Sequence, residues 1–161
     1  MREIIFRGKR VDNGEWVEGQ TIVVIHQDDN DLIFMPQHGE DVKADIMDGN
    51  DRALTSIYGN YYQILPETVE QFTGLTDKNG KKIFDGDILS IAQKGNGIGD
   101  YFYPPLKYPS NAIVKWDKCS WMWEIIAEQR YYLTFPDAWC HFECKIIGNI
   151  HDNPELLEVV E

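Results

Sequence analysis

The dipeptide Asn79-Gly80 constrains this chain more than any other feature. Both residues accept positive φ, so the pair closes a hairpin and commits its flanking segments to antiparallel pairing. It lies within Gln71–Ile88, reading QFTGLTDKNGKKIFDGDI, where Gly86 between Asp85 and Asp87 marks a second sharp bend. Gly74, Asn79, Gly80, Asp85, Gly86 and Asp87 are therefore read as a structural turn motif, legible as hairpin chemistry and not as catalysis.

The same punctuation recurs along the chain. From Ile4 to Phe34, short apolar runs alternate with turn residues: Asn13-Gly14 closes one hairpin and Asp28-Asp29-Asn30-Asp31 a second, with Trp16-Val17 and Thr21 to Ile25 as strands. Phe6-x-Gly8, Asn13-Gly14 and Trp16-Val17-Glu18-Gly19 are echoed by Phe72-x-Gly74, Asn79-Gly80 and Ile83-Phe84-Asp85-Gly86. Either an ancient duplication or the shared demands of hairpin turns accounts for the echo. Strands are also expected over Tyr61 to Thr73, with Pro66 at a bend, and over Ile88 to Ala92. Ile113 to Trp116 and Trp121 to Ala127 read as a hairpin, followed by strands at Tyr131 to Phe135 and Trp139 to Ile150. Ala44 to Ile57 has room for a short helix, although Gly49-Asn50 interrupts its apolar spacing. Asn153-Pro154 starts a short C-terminal helix, with Leu156, Leu157 and Val160 as its apolar stripe.

These elements divide into N-terminal hairpins over 1–36, an acidic polar linker or excursion over 37–60, and a β-rich region over 61–161 interrupted by an irregular loop at 93–112. The expected whole is one compact, mainly β domain. A chain of 161 residues with 43% hydrophobic and 26% charged residues has enough apolar surface to fold without a staple. Three cysteines, Cys119, Cys140 and Cys144, make a disulfide framework improbable. No apolar run reaches the roughly 20 residues of a membrane span and the N-terminus lacks a signal-peptide core, so a cytoplasmic location in a bacterial host is expected. Twenty-seven acidic residues against 15 basic ones give a formal net charge of -12, which disfavours direct nucleic acid binding or an anionic membrane surface. The charge is uneven, with Arg2, Arg7, Lys9 and Arg10 at the start and eight carboxyls crowded from Asp28 to Asp51.

The candidate chemical groupings fail on spacing. Cys140, His141 and Cys144 suggest zinc, but on a strand the two cysteines stand roughly 13 Å apart at about 3.3 Å per residue, too far to share an ion with bonds of about 2.3 Å. Asp77-Lys78-Asn79-Gly80 suggests a calcium loop, but Lys81, Lys82 and Ile88 stand where a ligand, the glycine and the closing glutamate belong. Gly95, Gly97 and Gly99 are followed by Pro104-Pro105 and not by a capped helix, so a phosphate cradle is not indicated. Trp116, Trp121 and Trp123 alternate along their hairpin as cross-strand core pairs. No nucleophile elbow or spaced histidine pair is present, so no catalytic residue, metal or cofactor is assigned. Tyr101, Phe102, Tyr103 and Tyr108 form the one attractive binding feature, an aromatic loop suited to protein contacts.

The central TGLTDKNGKKIFDGDI and the terminal GNIHDNPELL, in that order, with a basic start near Phe6 and a Val-x-Trp strand at Val114 and Trp116, resemble the YopX family of phage and prophage proteins. The resemblance implies a mainly β protein with a Src-homology-3-like small barrel, encoded by a phage or prophage and assembling with copies of itself. It carries over no catalytic residue. The resulting expectation is a non-enzymatic, homo-oligomeric interaction module, with a host or phage protein as a further candidate partner. Two alternatives stand beside it: an acidic decoy of a host nucleic-acid-binding protein, with carboxylates imitating phosphates, and a metal-assisted hydrolase built from Asp41 to Asp51.

Overall fold

The computed structural model describes residues 3–27, 30–37, 43–46, 55–58, 60–93, 110–117, 120–125, 131–134 and 142–157. The chain divides into two compact units, Met1–Gln71 and Phe72–Glu161. Among the described residues the architecture is antiparallel β throughout, and no helix is long and apolar enough to cross a membrane.

In the first unit, β1 (Phe6–Lys9) and β2 (Trp16–Gly19) form the hairpin that Asn13-Gly14 predicts, with Lys9 opposite Trp16 and Phe6 opposite Gly19. Gly14 takes φ +72°, while the Asn13 side-chain oxygen accepts the Glu15 N–H at 3.0 Å. A three-stranded sheet follows in the order β3 (Val23–Gln27), β4 (Asn30–Pro36), β7 (Tyr61–Ile64). Gln27 pairs with Asn30 at the end of the β3–β4 ladder, and Asp28 and Asp29 lie outside the described residues. At the two ends of Ala44 to Ile57, where the sequence has room for a short helix, the chain forms two strands, β5 (Lys43–Ile46) and β6 (Thr55–Tyr58), paired with each other, and 47–54 lies outside the described residues. Ile46, Thr55 and Ile57 are β-branched and stiff at χ1, a preference that favours strands over helices. Pro66 starts a 3-10 turn, Pro66–Thr68, where its missing N–H costs nothing. Buried Thr68 fixes that turn by donating to the Leu65 carbonyl at 2.7 Å and accepting the Lys9 N–H at 2.9 Å.

The unit's apolar interior is built from Ile5, Phe34, Met35 and Ile64. Beside it lies a buried ion pair in which Arg7 Nε and Nη2 both donate to Glu70 Oε2, at 2.7 and 2.6 Å, and the Arg7 guanidinium lies 4.7 Å from the Trp16 ring centre. Arg7 is on β1, and Glu70 is its register partner on β8 (Glu70–Thr76).

The boundary between units falls inside β8. From Phe72 to Thr76 this strand pairs with β9 (Lys82–Phe84). Beyond β9, a five-stranded sheet runs in the order β13 (Tyr131–Thr134), β12 (Ser120–Ile125), β11 (Ser110–Asp117), β10 (Asp87–Gln93), β14 (Phe142–Asn149). Its centre is apolar on both faces: successive residues Ile88-Leu89 on β10 and Ala112-Ile113-Val114 on β11 are buried, as are Ile91 and Cys144. The Phe72 and Phe84 rings add a contact at 5.6 Å between centroids.

Two finer expectations are not met over the described residues. The Src-homology-3-like small barrel is not closed by the described strands, because closure requires the end strands to share a ladder and β13 and β14 do not pair. The C-terminal helix is a four-residue 3-10 turn, Pro154–Leu157, over the described residues. Its start is pinned by the Asn149 carbonyl, which accepts N–H groups from Asp152 and Asn153 at 3.1 and 2.8 Å. The Leu156 carbonyl, which an α-helix would offer to its next turn, accepts Asn111 Nδ2 at 3.1 Å.

The Arg7–Glu70 pair yields a test of the first unit. Glu70→Ala leaves a buried guanidinium without its carboxylate and is expected to cost about 3–5 kcal/mol by urea unfolding, whereas replacing both partners with apolar residues of matching size is expected to restore most of it.

Candidate functional site

The two sequence motifs that carry the family resemblance meet in the second unit, around the carboxyl groups of Asp77 and Asp87. Asp77 ends the β8 arm of the Asn79-Gly80 turn. Its N–H donates to the Lys81 carbonyl at 2.8 Å, and its own carbonyl accepts the Gly80 N–H at 2.9 Å. Asn79 and Gly80 therefore occupy the last two positions of the turn Asp77–Gly80 and not the central pair, and Gly80 takes the left-handed conformation at φ +81°. One Asp77 side-chain oxygen accepts the Asn79 and Lys81 N–H groups at 2.8 and 3.0 Å, and the other accepts the Ile146 N–H of β14 at 3.2 Å. Alongside, the Lys78 N–H donates to the Cys144 carbonyl at 3.0 Å. The turn thus binds itself and the outer edge of β14 with one side chain. Those uses of the Asp77 oxygens are turn formation and docking.

The second bend is tied as closely. Gly86, at φ +78°, donates its N–H to the Val114 carbonyl at 2.9 Å and accepts the Ile150 N–H at 3.0 Å. Asp87, only 1% exposed, accepts the Phe84 N–H at 2.9 Å and faces Asn149 Nδ2 at 3.4 Å. Asn149 Oδ1 in turn accepts the His151 N–H at 2.9 Å. Gly148 completes the junction: a Cβ there would stand 2.7 Å from Asn153 Oδ1 and 2.8 Å from Leu156 Cδ1, so a larger residue would displace the ends of both side chains where the terminal turn closes over β14. Gly74, at φ +86°, lies in the register shift of β8, where Thr73 Oγ1 donates to the Ile83 carbonyl at 2.8 Å.

Two carboxyls here respond to the fold in opposite directions. Burial pushes Asp77 upward, but the N–H groups of Lys81, Asn79 and Ile146, with the Asn79 side chain, together outweigh it and hold the group below the usual carboxyl range. Burial pushes Asp85 upward and prevails, against N–H groups of Trp116 and Gly86 and the charge of Lys115, and with Asp87 adding to the rise.

The other sequence candidates fare differently. Cys144 is a buried free cysteine on β14, while Cys119, Cys140 and His141 lie outside the described residues. So does the aromatic loop bearing Tyr101, Phe102, Tyr103 and Tyr108, as do Asp41, Asp48 and Asp51. Among the described residues no group of three or more His, Cys, Asp or Glu is gathered to hold a metal. Trp116 does face Trp121 in the β11–β12 register, but its expected place in the core is corrected: it is 53% exposed, one residue beyond exposed Lys115, where the doubly covered centre of β11 has ended. Sequence spacing gave no sign that Asp77 would reach a strand 69 residues away. An apolar residue's alternation reports which face it takes, not whether anything covers that face.

These carboxyls generate opposite pH signatures. Asp77, depressed in the fold, contributes stability above the ordinary carboxyl pKa that is lost as pH falls through its lowered value. Asp85, raised in the fold, contributes stability at low pH that is lost as pH rises through its raised value. Asp77→Asn is expected to lower stability at neutral pH by about 1–3 kcal/mol, since an amide NH2 then faces buried donors. Asp85→Asn is expected to remove part of the decline in urea midpoint on going from acid to neutral pH; an unchanged slope would show that Asp85 is not the group responsible.

A family model described as YopX protein matches residues 5–158. No curated protein matches the chain. Among solved structures, the crystal structure of protein EF1440 from Enterococcus faecalis is similar at 26% identity over 96% of this chain and 98% of that one, with a TM-score of 0.52. The match of the family model along nearly the whole chain, with both its motifs built into one hydrogen-bonded junction, establishes that the chain belongs to the YopX family.

Proposed function

We propose that this protein is a non-enzymatic module of phage or prophage origin that acts through protein contacts and assembles with copies of itself. The observation that carries this reading is Trp116, a large apolar side chain left 53% exposed on β11. Tryptophan is enriched among the residues that anchor protein interfaces, where its ring is buried by a partner. The chemistry of the motif residues points the same way, since Asp77 and Asp87 accept backbone and Asn149 N–H groups inside the fold.

The phosphate-imitating decoy draws less support from the described carboxyls. Glu70 is paired with Arg7, and Asp12 and Glu15 with Arg10. Of the acidic run from Asp28 to Asp51, only Asp31 and Asp45 fall within the described residues.

Native mass spectrometry of the untagged protein tests the proposal. A homo-oligomer of one defined size is expected, and Trp116→Glu, at a half-exposed position near the end of β11, is expected to dissociate it while leaving the circular dichroism spectrum intact. A wild-type protein that is monomeric at every concentration and carries no partner would overturn the reading.

A further inference from the structure

A strand at the end of a sheet offers unpaired N–H and C=O groups to any other strand, and natural proteins block such edges with charges, turns or covering segments. Among the described residues β14 stands at one end of the five-stranded sheet, paired with β10 on one side. In an antiparallel ladder, alternate residues direct both backbone polar groups away from the partner. Cys144 and Ile146, two residues apart, are of this kind, because the Cys144 carbonyl and the Ile146 N–H meet the Asp77–Lys81 turn instead of β10.

We propose that this turn is an edge guard: it occupies the outer backbone groups of β14 and thereby denies that edge to a strand from a second copy of the chain. The two contacts imitate half of a strand pairing. The Lys78 N–H supplies a donor where an added strand would supply one, and the Asp77 carboxyl supplies an acceptor where that strand would supply a carbonyl. A carboxyl group is suited to this because it also holds the Asn79 and Lys81 N–H groups, which fixes its orientation toward Ile146. The turn cannot propagate the ladder, since its own backbone reverses at Gly80. The guard therefore satisfies the edge locally and ends it.

The inference does not rest on the assembly proposed above. It concerns which surface is closed, and its test compares each variant with the wild type whatever the size of the wild-type species. Lys78→Pro is the decisive substitution. Lys78 is the second residue of the turn, the position at which proline is favoured, and the preceding Asp77 is at the end of a strand, as a pre-proline residue prefers. The substitution therefore keeps the turn while deleting the donor to Cys144. Analytical ultracentrifugation is expected to show a weight-average sedimentation coefficient that rises with concentration beyond that of the wild type, and Asp77→Ala is expected to do the same more strongly. Native near-ultraviolet circular dichroism with wild-type sedimentation in Lys78→Pro would overturn the proposal. Hydrogen exchange on the wild type gives a reading independent of any variant's folding: slow exchange of the Ile146 amide is expected, and exchange as fast as that of an unpaired edge amide would also overturn it.

Discussion

The fold of the second unit depends on satisfying one nearly inaccessible carboxyl group. Asp87 is 1% exposed, and a polar group withdrawn from water to that degree is tolerated only where donors are supplied. The Phe84 N–H and Asn149 Nδ2 supply them from the end of β9 and the end of β14, so the group that must be satisfied also ties together strands more than sixty residues apart. Gly86 makes this arrangement possible. Its positive φ turns the chain sharply enough for Asp87 to reach back to Phe84, and its two backbone groups then engage Val114 and Ile150. Around this junction Ile83, Phe84, Ile88, Leu89 and Val114 are almost completely withdrawn from water, each contributing about 1.5–3 kcal/mol of transfer free energy. The polar junction sets which strands meet; the apolar burial stabilises the meeting.

Turn chemistry made most of the strands legible. Asn13-Gly14 and Asn79-Gly80 lie at reversals between paired strands, Gly86 lies at the bend between β9 and β10, and the β-branched and aromatic runs between them fall within the strands that form. The echo between the two hairpins was also visible, yet their registers differ: Phe6 faces Gly19, whereas Phe72 faces Phe84 and a shift at Gly74 absorbs extra residues. Similar turns therefore close differently paired strands, and the likeness of the glycines reports local backbone need more directly than a common register. The spacing of Ala44 to Ile57 admits a helix, but at its described ends β-branched residues and an antiparallel partner favour strands.

What remained hidden was long-range. The sequence places Asp77 in a turn, and the bonds within 77–81 are what any aspartate in that position would make. Its contact with Ile146 depends on the lateral order of strands in the sheet, which no local pattern encodes. The exposure of Trp116 is hidden for the same reason: its alternation along β11 matches a core residue, but the covering that buries Val114 does not extend two residues further. The C-terminal turn shows both cases together. Asn153-Pro154 stands at the start of a 3-10 turn, as local sequence suggests, while Asn111 reaching the Leu156 carbonyl from another strand is a contact that no local pattern encodes.

A motif can mark a lineage without marking a site. Asp77, Gly80, Gly86, Asp87 and Gly148, within the two motifs by which this chain resembles its family, satisfy backbone groups, permit positive φ, or leave space for a close approach, as Gly148 does beneath Asn153 and Leu156. Such requirements are imposed by the fold itself and would hold for any activity the fold supports. The likeness to protein EF1440, full-length at 26% identity, fits this division, since an architecture held by a few backbone constraints leaves most positions open to change. Function in such a chain has to be sought among side chains that the fold does not need. Trp116 is one candidate among the described residues: more than half of this large apolar side chain is left in water, one residue before β11 ends.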